Sequence, residues 1–197
     1  MNPTPAVSMR EHILQTAASL FFRYGYRSVG VDTISAEANI GKMTLYRHFA
    51  SKDELIEEYL REANIQFWAW FDRSTGESLR PDEQLIAVFT AVESLVSAPQ
   101  CYGCPFLNVS TEYPDLDNGA HRIALEHKLA VLRRFRDLGG AAGTRDPDAL
   151  AQQLLLLMDG AFMSARMFGN QNPAKNVAAA AEALLAAQLA PVIHPAL

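Results

Sequence analysis

The sequence predicts an all-α protein. Apolar residues recur at helical spacing along most of the 197 residues, and strand-like alternation is nearly absent. Capping residues, prolines and glycines stand where helices begin and end, and they delimit about nine helices. Hydrophobic residues make up 49% of the chain and charged residues 20%, as in an ordinary globular protein with a sizeable core.

The first predicted helix is defined by an apolar stripe with spacing i, i+3, i+4, i+7. Gly25 is expected to end it, because glycine readily adopts the backbone conformation that follows a last helical turn. The stripe consists of Leu14, Ala17, Ala18 and Phe21.

Two short helices joined by a tight turn are predicted next. Asp32 is the expected N-cap of the first, over residues 33–38. Residues 39–41, Asn-Ile-Gly, form the turn because Asn and Gly tolerate the left-handed backbone, and residues 42–49 form the second helix. This helix-turn-helix layout gives a small core of Ile34, Ile40, Leu45 and Phe49, with Ala36 and Ala38 near the crossing point.

A capping box opens a long fourth helix, with Ser51 as the cap and Glu54 reaching back to the backbone. Prolines then divide the rest of the chain into five helical segments. In the pairs Asp146-Pro147 and Asn172-Pro173, the first residue is the predicted N-cap and proline the first helical residue. The segments lie near residues 82–97, 105–112, 118–138, 147–168 and 173–190.

Charge is distributed unevenly along the chain. Residues 1–52 carry a net charge of +3, whereas residues 53–197 carry −8, for a total of −5. A polyanion is therefore attracted to the N-terminal part and repelled by the remainder. No apolar run approaches the ~20 residues of a membrane span, no secretory signal is present, and two cysteines cannot build a disulfide scaffold. We therefore expect no membrane association and a cytoplasmic location.

The second helix of the helix-turn-helix suits a DNA major groove. Short polar groups near its N-terminus can meet base edges, while lysine, tyrosine and arginine can reach phosphates. The residues predicted on or near its outward face are Lys42, Met43, Thr44, Tyr46, Arg47 and His48.

At these residues the sequence resembles the tetracycline-repressor-like (TetR/AcrR) family of transcriptional regulators. The resemblance runs over residues 10–59 and is densest at 34–38, 44–49 and 51–54. It implies an all-helical fold with a DNA-binding head over residues 1–52. It also implies a body over residues 53–197 that binds a small-molecule inducer and forms a homodimer through its last two helices.

The resemblance also implies particular DNA contacts. Asn39 and Gly41 depart from the family pattern, which usually has a glycine and a Ser or Thr cap at these positions. The implied partner is a double-stranded DNA operator, and the function is that of a repressor released by the inducer. Besides the exposed Met43, the implied contacts are Thr33, Lys42, Thr44, Tyr46, Arg47, His48 and Lys52.

Aromatic and methionine side chains are frequent in the body, as in ligand cavities between helices. The same residues also suit an ordinary core, and the sequence leaves both interpretations open. Polar residues after Pro105 would orient a ligand. The predicted lining consists of Phe67, Trp68, Phe71, Phe89, Phe106, Asn108, Thr111, Glu112, Met158 and Phe162.

The last two helical segments carry broad apolar surfaces, enough to bury one face in their own domain and one against a partner. An intramolecular core alone is the alternative, and the resemblance favours the dimer. The predicted interface residues are Leu154, Met158, Ala161, Ala165, Val177, Ala181, Leu184 and Leu185.

Cys101 and Cys104 form one C-x-x-C pair, a spacing used in thiol redox chemistry and in metal sites. A closed zinc site needs four ligands, and no second pair or suitably spaced histidine supplies them. The pair also suits structural or incidental thiols, which is the interpretation favoured here. Redox sensing by these cysteines is the alternative regulatory mechanism, and neither a metal nor a cofactor is predicted. No catalytic constellation is evident either, so we do not expect an enzyme.

Overall fold

The computed structural model describes residues 8–76 and 79–189. Within these ranges the chain forms nine α-helices and two single turns of 3₁₀ helix, with no β-strand, which confirms the predicted fold class. None of the described helices is both long and apolar enough to span a membrane. The helices are α1 (Met9–Tyr24), α2 (Val31–Glu37), α3 (Lys42–His48), α4 (Lys52–Thr75), α5 (Pro81–Val96), α6 (Pro105–Glu112), α7 (Gly119–Ala141), α8 (Pro147–Phe168) and α9 (Val177–Leu189).

The described residues pack into two compact units. The N-terminal unit contains α1, α2, α3, the part of α4 up to Gln66, α6, and α7 up to Glu126. The C-terminal unit contains the remainder of α4 and α7, together with α5, α8 and α9. Packing therefore groups α6 with helices some 80 residues earlier in the chain. The predicted domain boundary after residue 52 marks the end of the DNA-binding segment and not the end of a packing unit, and it stays a prediction.

The core of the N-terminal unit holds the two short helices against α1 and α4. Ile34, Leu45 and Phe49 are fully buried, as the helix-turn-helix pattern predicts. Along α1 the buried stripe shares two of its four residues with the predicted one. Ala17 and Phe21 are buried as expected, but Leu14 and Ala18 are only half-buried. The full buried stripe of α1 is Ile13, Ala17, Leu20 and Phe21.

The ends of α1 and α2 show one confirmed cap and one correction. Gly25 ends α1 at φ +92°, and its N–H donates to the carbonyl of Phe21. The N-cap of α2 is Gly30, not the predicted Asp32. Asp32 lies in the first turn of α2, and its carboxylate forms an ion pair with Lys42 of α3. A carboxylate in the first turn still interacts favourably with the helix dipole.

Helices α4 and α8 begin at caps that the sequence identified. Ser51 Oγ accepts a hydrogen bond from the N–H of Glu54 at 3.0 Å, and the Glu54 carboxylate accepts one from the N–H of Ala50 at 2.6 Å. The side chain of Asp146 accepts a hydrogen bond from the N–H of Ala149 at 2.9 Å. Each bond satisfies a donor that a helix N-terminus would otherwise leave unpaired.

The start of α9 differs from the prediction. Asn172 does not cap a helix beginning at Pro173; instead a single turn at Ala174–Asn176 follows, and α9 begins at Val177. Asn172 is buried, donates to the carbonyl of Val96 at 3.0 Å and accepts from the N–H of Ala174 at 2.9 Å. The first turn of α9 is bound by Glu93 of α5, whose carboxylate accepts from the N–H of Ala178 at 3.2 Å.

Candidate nucleic-acid interface

The turn between α2 and α3 sets the direction of α3. Asn39 adopts a left-handed backbone conformation at φ +52°, which Asn tolerates better than most residues. The N–H of Ile40 donates to the carbonyl of Ser35 at 2.9 Å, closing the end of α2. Gly41 then begins α3 without a side-chain cap. The departure of Gly41 from the family pattern is therefore a missing capping bond in an otherwise ordinary turn.

A histidine of α1 also contacts this turn. The Nε2 atom of His12 lies 3.0 Å from the carbonyl oxygen of Ala38, the last residue before the turn. A protonated Nε2 can donate to that carbonyl, which has no further helical partner. Sequence reasoning did not identify this contact, because His12 stands 26 residues before Ala38 and shows no local motif.

The outer face of α3 is polar and basic, with two large exposed hydrophobic groups. Met43 is 77% exposed and Tyr46 is 47% exposed, while Leu45 between them is fully buried. Lys42 and Arg47 are exposed as well. Thr44 and His48 are half-buried, Thr33 is exposed on α2, and Lys52 is half-buried at the start of α4. The structure therefore gives all eight predicted DNA contacts at least partial exposure and brings six of them onto α3.

Two polar interactions within this surface hold side chains in place. The Nη2 group of Arg47 donates to Thr44 Oγ1 at 3.2 Å. The Lys42 ammonium pairs with the Asp32 carboxylate, and this hydrogen bond together with the negative charge raises the pKa of Lys42. Both partners of this pair are exposed, so it contributes little to stability and can be exchanged for another anion.

Lys52 lies in a more enclosed environment. Burial is the largest influence and lowers the pKa of Lys52, while the charges of Asp53 and Glu112 act in the opposite direction. The ammonium group therefore has nearby acidic groups on both α4 and α6. A phosphate contact by Lys52 would bring a third anion to this group.

Glu112, at the end of α6, binds the backbone that joins α1 to α2. Its two carboxylate oxygens accept hydrogen bonds from the N–H groups of Tyr26 at 3.0 Å and Arg27 at 2.7 Å. The hydroxyl of Tyr26 donates to the carbonyl of Pro105 at 2.9 Å, at the start of the same helix. These contacts explain why α6 packs in the N-terminal unit. They also commit the Glu112 carboxylate to the backbone, although the sequence predicted it as a ligand group.

Comparison with known families identifies the chain. Residues 13–59 match the family model described as bacterial regulatory proteins, tetR family. Residues 81–181 match the model described as a tetracyclin repressor-like C-terminal domain, and this match alone spans half of the chain. The chain belongs to the TetR family. The resemblance seen in residues 10–59 is thereby confirmed and extends through the C-terminal unit.

Solved structures and curated relatives agree with the TetR assignment. A TetR-family transcriptional regulator from Streptomyces coelicolor matches with a TM-score of 0.87 at 34% identity, covering 91% of this chain and 95% of that one. A TetR regulator from Streptomyces avermitilis matches with a TM-score of 0.83 at 35% identity, covering 92% and 98%. The HTH-type transcriptional regulator YjdC of Escherichia coli is 24% identical over 84% of this chain and 86% of its own length. The HTH-type transcriptional repressor KstR2 of Mycolicibacterium smegmatis is 32% identical over 45% of this chain and 43% of its own.

TetR regulators typically bind small molecules, and the predicted lining residues of this chain fall in both units. Phe106, Asn108, Thr111 and Glu112 belong to the N-terminal unit, where Phe106 and Asn108 are buried and Thr111 is exposed. The other six belong to the C-terminal unit: Phe67, Trp68, Phe71, Phe89, Met158 and Phe162.

An aromatic cluster occupies the core of the C-terminal unit. Ring centroids are 5.3 Å apart for Phe67 and Trp68 and 6.1 Å apart for Phe67 and Phe71. Phe135, which the sequence did not single out, continues the cluster to Phe89 with a centroid distance of 5.7 Å. Phe67 is also in contact with Trp70, at a centroid distance of 5.4 Å, and with His127, whose ring meets it edge-on at 4.7 Å. Its burial, and then the charge of Lys128, lower the pKa of His127 to about 3.

The predicted dimer residues lie on the inward face of α8 and α9. Seven of the eight are buried within this chain, and only Leu184 is partly exposed. Most of them are core residues of the C-terminal unit, although Ala161 and Val177 also line the groove between α8 and α9. The opposite face carries exposed apolar groups, among them Leu156 and Met167 at 73% and 76% exposure. Between α8 and α9 this face has a shallow groove of about 350 Å³ lined by residues such as Gly160, Ser164 and Ala180.

Both cysteines are free, Cys101 half-buried and Cys104 buried. Burial raises the pKa of the Cys101 thiol, and the nearby Cys104 acts in the same direction. A raised pKa lowers the fraction of reactive thiolate. In the described part of the chain, no group of three or more His, Cys, Asp or Glu residues is arranged to hold a metal ion.

Proposed function

We propose that this TetR-family chain is a sequence-specific DNA-binding repressor that inserts α3 into a major groove. The observation that carries the proposal is the division of α3 into two faces. Leu45 is fully buried, so the helix is held firmly in the N-terminal unit, while Met43, Tyr46 and Arg47 are exposed together. In helix-turn-helix proteins, the helix that enters the major groove has one face packed in the domain and a polar, basic face turned towards the DNA.

The proposed contacts divide by chemistry. Arg47 has a planar group that can bind a guanine edge in two places, and Lys42 and Thr44 can reach neighbouring base edges or the backbone. Thr33 and Lys52 flank α3 on α2 and α4, so they are assigned to phosphates. Tyr46 and His48 are assigned to the sugar-phosphate backbone, and Met43 provides apolar contact with a base.

A second copy of the chain is the proposed partner in DNA binding. We propose that the interface lies on the outward face of α8 and α9, where Leu156 lines the groove between the helices and Met163 and Met167 are exposed farther along α8. Two such faces related by a two-fold axis would form a four-helix bundle. A symmetric dimer presents two copies of α3 to two half-sites, as repressor operators require.

Release by a small molecule is proposed to begin at the aromatic cluster of the C-terminal unit. An apolar or aromatic ligand would pack among these rings, with His127 as a polar group that stays neutral above its low pKa. Helix α4 contributes to both units, so a change in its tilt is the proposed link to α3. The ligand must bind the released state more tightly than the DNA-bound state, since otherwise it shifts no population.

The environment of Cys101 and Cys104 does not favour redox sensing. The pKa of the Cys101 thiol is raised and Cys104 is buried, whereas a sensor thiol is usually accessible and has a lowered pKa.

The test measures DNA binding of the purified protein by fluorescence anisotropy. A duplex selected from a random pool is compared with a scrambled duplex at two salt concentrations, because affinity for DNA depends strongly on salt. We expect the wild type to prefer the selected duplex by a factor of about a thousand or more. The variant Arg47→Ala should lose about 1–3 kcal/mol of binding to the selected duplex and much less to the scrambled one.

The matched control is Arg133→Ala, which removes an exposed arginine from α7 in the C-terminal unit. It should bind both duplexes nearly as the wild type does. Equal, salt-sensitive binding of the wild type to both duplexes would show that α3 does not read bases.

A further inference from the structure

The segment that joins α1 to α2, residues 25–30, forms hydrogen bonds with both ends of α6. The Tyr26 hydroxyl donates to the carbonyl of Pro105 at 2.9 Å, at the first residue of α6. At the last residue, the Glu112 carboxylate accepts from the N–H groups of Tyr26 and Arg27 at 3.0 and 2.7 Å. We refer to the two bonds from Glu112 as the Glu112 clamp.

The surroundings of the clamp fit a carboxylate closely. A Cβ at position 25 would lie 2.8 Å from Oε1 of Glu112, so Gly25 leaves room for it in addition to allowing φ +92°. The guanidinium of Arg27 lies over the ring of Tyr113, 5.1 Å from its centroid, which adds a contact beside the clamp. Hydrogen bonds from two successive N–H groups to one ionised carboxylate are stronger than bonds between neutral groups.

The clamped segment leads directly into the DNA-reading helices. Only two residues separate Arg27 from Gly30, the N-cap of α2. One of them, Val29, is buried, and the other, Ser28, donates through its hydroxyl to the carbonyl of Tyr24 at 2.5 Å. The path from Glu112 to the start of α2 is therefore short and held at each residue. A shift of α6 would move the start of α2 and, through the turn at Asn39, the position of α3.

We propose that Glu112 is a positioning residue for DNA reading, which acts by holding the 25–30 segment and so the placement of α2 and α3. The proposal rests on the proposed DNA-binding function and adds a residue that touches no DNA. In the chain, α6 directly follows Cys104, the last residue of a segment that belongs to the C-terminal unit.

The experiment uses two substitutions at Glu112 and one charge control. Glu112→Gln places an amide NH2 against one backbone N–H, and Glu112→Asp keeps the charge but withdraws the carboxylate by one methylene. Glu126→Gln removes an exposed carboxylate from α7 in the same unit. Loss of a negative charge by itself strengthens DNA binding. The expected effect of Glu112→Gln has the opposite sign, so charge and position are separated.

We expect both Glu112 variants to bind the selected duplex about tenfold more weakly than the wild type, with little change for the scrambled duplex. Hydrogen exchange of the Tyr26 and Arg27 amides should accelerate in both. Glu126→Gln should show neither effect. Accelerated exchange with wild-type affinity for the selected duplex would overturn the positioning role. A wild type that does not distinguish the duplexes would overturn the DNA-binding function itself, which is a separate result.

A further variant keeps the test decisive if the Glu112 substitutions prevent folding, which circular dichroism would reveal. Tyr26→Phe removes the hydroxyl bond to Pro105 and retains the ring that stacks on Phe21. We expect it to bind the selected duplex about threefold more weakly, since one neutral hydrogen bond is lost. Wild-type affinity in Tyr26→Phe would then overturn the proposal.

Discussion

His127, in the core of the C-terminal unit, makes the stability of the protein sensitive to acid. Its side chain is only 4% exposed and meets the ring of Phe67 edge-on. Lys128, the next residue, forms a 2.5 Å ion pair with Asp159, so a positive charge is already present beside the imidazole. Burial is the main reason why a positive charge on His127 is costly in the folded state, and the Lys128 ammonium adds to it, so the pKa of His127 falls to about 3.

This pKa predicts a loss of stability in mild acid. Between about pH 6.5 and pH 3 the unfolded chain binds a proton at His127 that the folded chain does not, so the free energy of unfolding falls as the pH falls. One proton contributes a slope of at most ~1.4 kcal/mol per pH unit. In His127→Gln this part of the slope should disappear. Urea unfolding at pH 7.5, 5.5 and 4.5 measures it.

The measurement at pH 7.5 serves as the control, because His127 is neutral there in both the folded and the unfolded state. The difference in unfolding free energy between the wild type and His127→Gln at this pH therefore reports only lost packing. A variant whose stability falls with acid as steeply as that of the wild type would show that His127 does not titrate on unfolding.

At the scale of the helices, Asn172 connects two elements of the C-terminal unit. Its side chain donates to the carbonyl of Val96 at the end of α5 and accepts from Ala174 before α9, and it is only 3% exposed. Replacing Asn172 by Ala leaves a buried carbonyl and an N–H unpaired, so we expect a loss of about 1–3 kcal/mol. Asn170→Ala, at an exposed position of the same segment, should cost little. Equal unfolding free energies for the two variants in urea would contradict this role.

Local sequence signals predicted most helix boundaries, and they missed the start of α9 because distant residues decide it. Ser51 and Asp146 bind N–H groups three residues ahead, so their capping is visible in the sequence. Asn172-Pro173 has the same local pattern, but the asparagine amide is taken by Val96, 76 residues earlier. Glu93 binds the first turn of α9 from 85 residues away. No local pattern carries that information.

In the candidate site too, contacts set by local helical spacing could be predicted from the sequence, and contacts with distant residues could not. The exposed face of α3 follows from helical spacing around Leu45, so its residues could be named from the sequence. The sequence predicts Glu112 as a ligand-pocket residue because it follows a proline on a short helix in the body. Its actual partners are the backbone N–H groups of Tyr26 and Arg27, and backbone groups leave no signature in a sequence.

For the whole molecule, the exposed face of α8 and α9 predicts a disruptable dimer. Leu156→Glu puts a charge where a leucine is 73% exposed at the groove between these helices, so it should shift the protein from dimer to monomer. Sedimentation velocity over a range of concentrations measures the shift. The control is Ile65→Glu on α4, at a comparably exposed position of the N-terminal unit. A monomeric wild type, or a dimeric Leu156→Glu variant, would place the interface elsewhere.

The sequence could not choose between the two faces of the last helices. Helix α9 consists almost entirely of alanine and leucine, so its apolar residues surround the helix and do not mark one side. Periodicity selected Ala181 and Leu185, which are buried in the chain's own core. Which face is inward depends on how α5 and α8 pack against α9, and only the folded structure supplies this.

The grouping of α6 with the first three helices has a practical consequence for regulators built by recombination. A chimera that joins residues 1–52 of this chain to the body of a relative would carry Tyr26 and Arg27 without their acceptor, unless the new body supplies a carboxylate at the position of Glu112. The transplanted segment is thus discontinuous: it needs α6 as well. A designer would exchange both pieces together, or choose a recipient whose α6 already ends in an acidic residue.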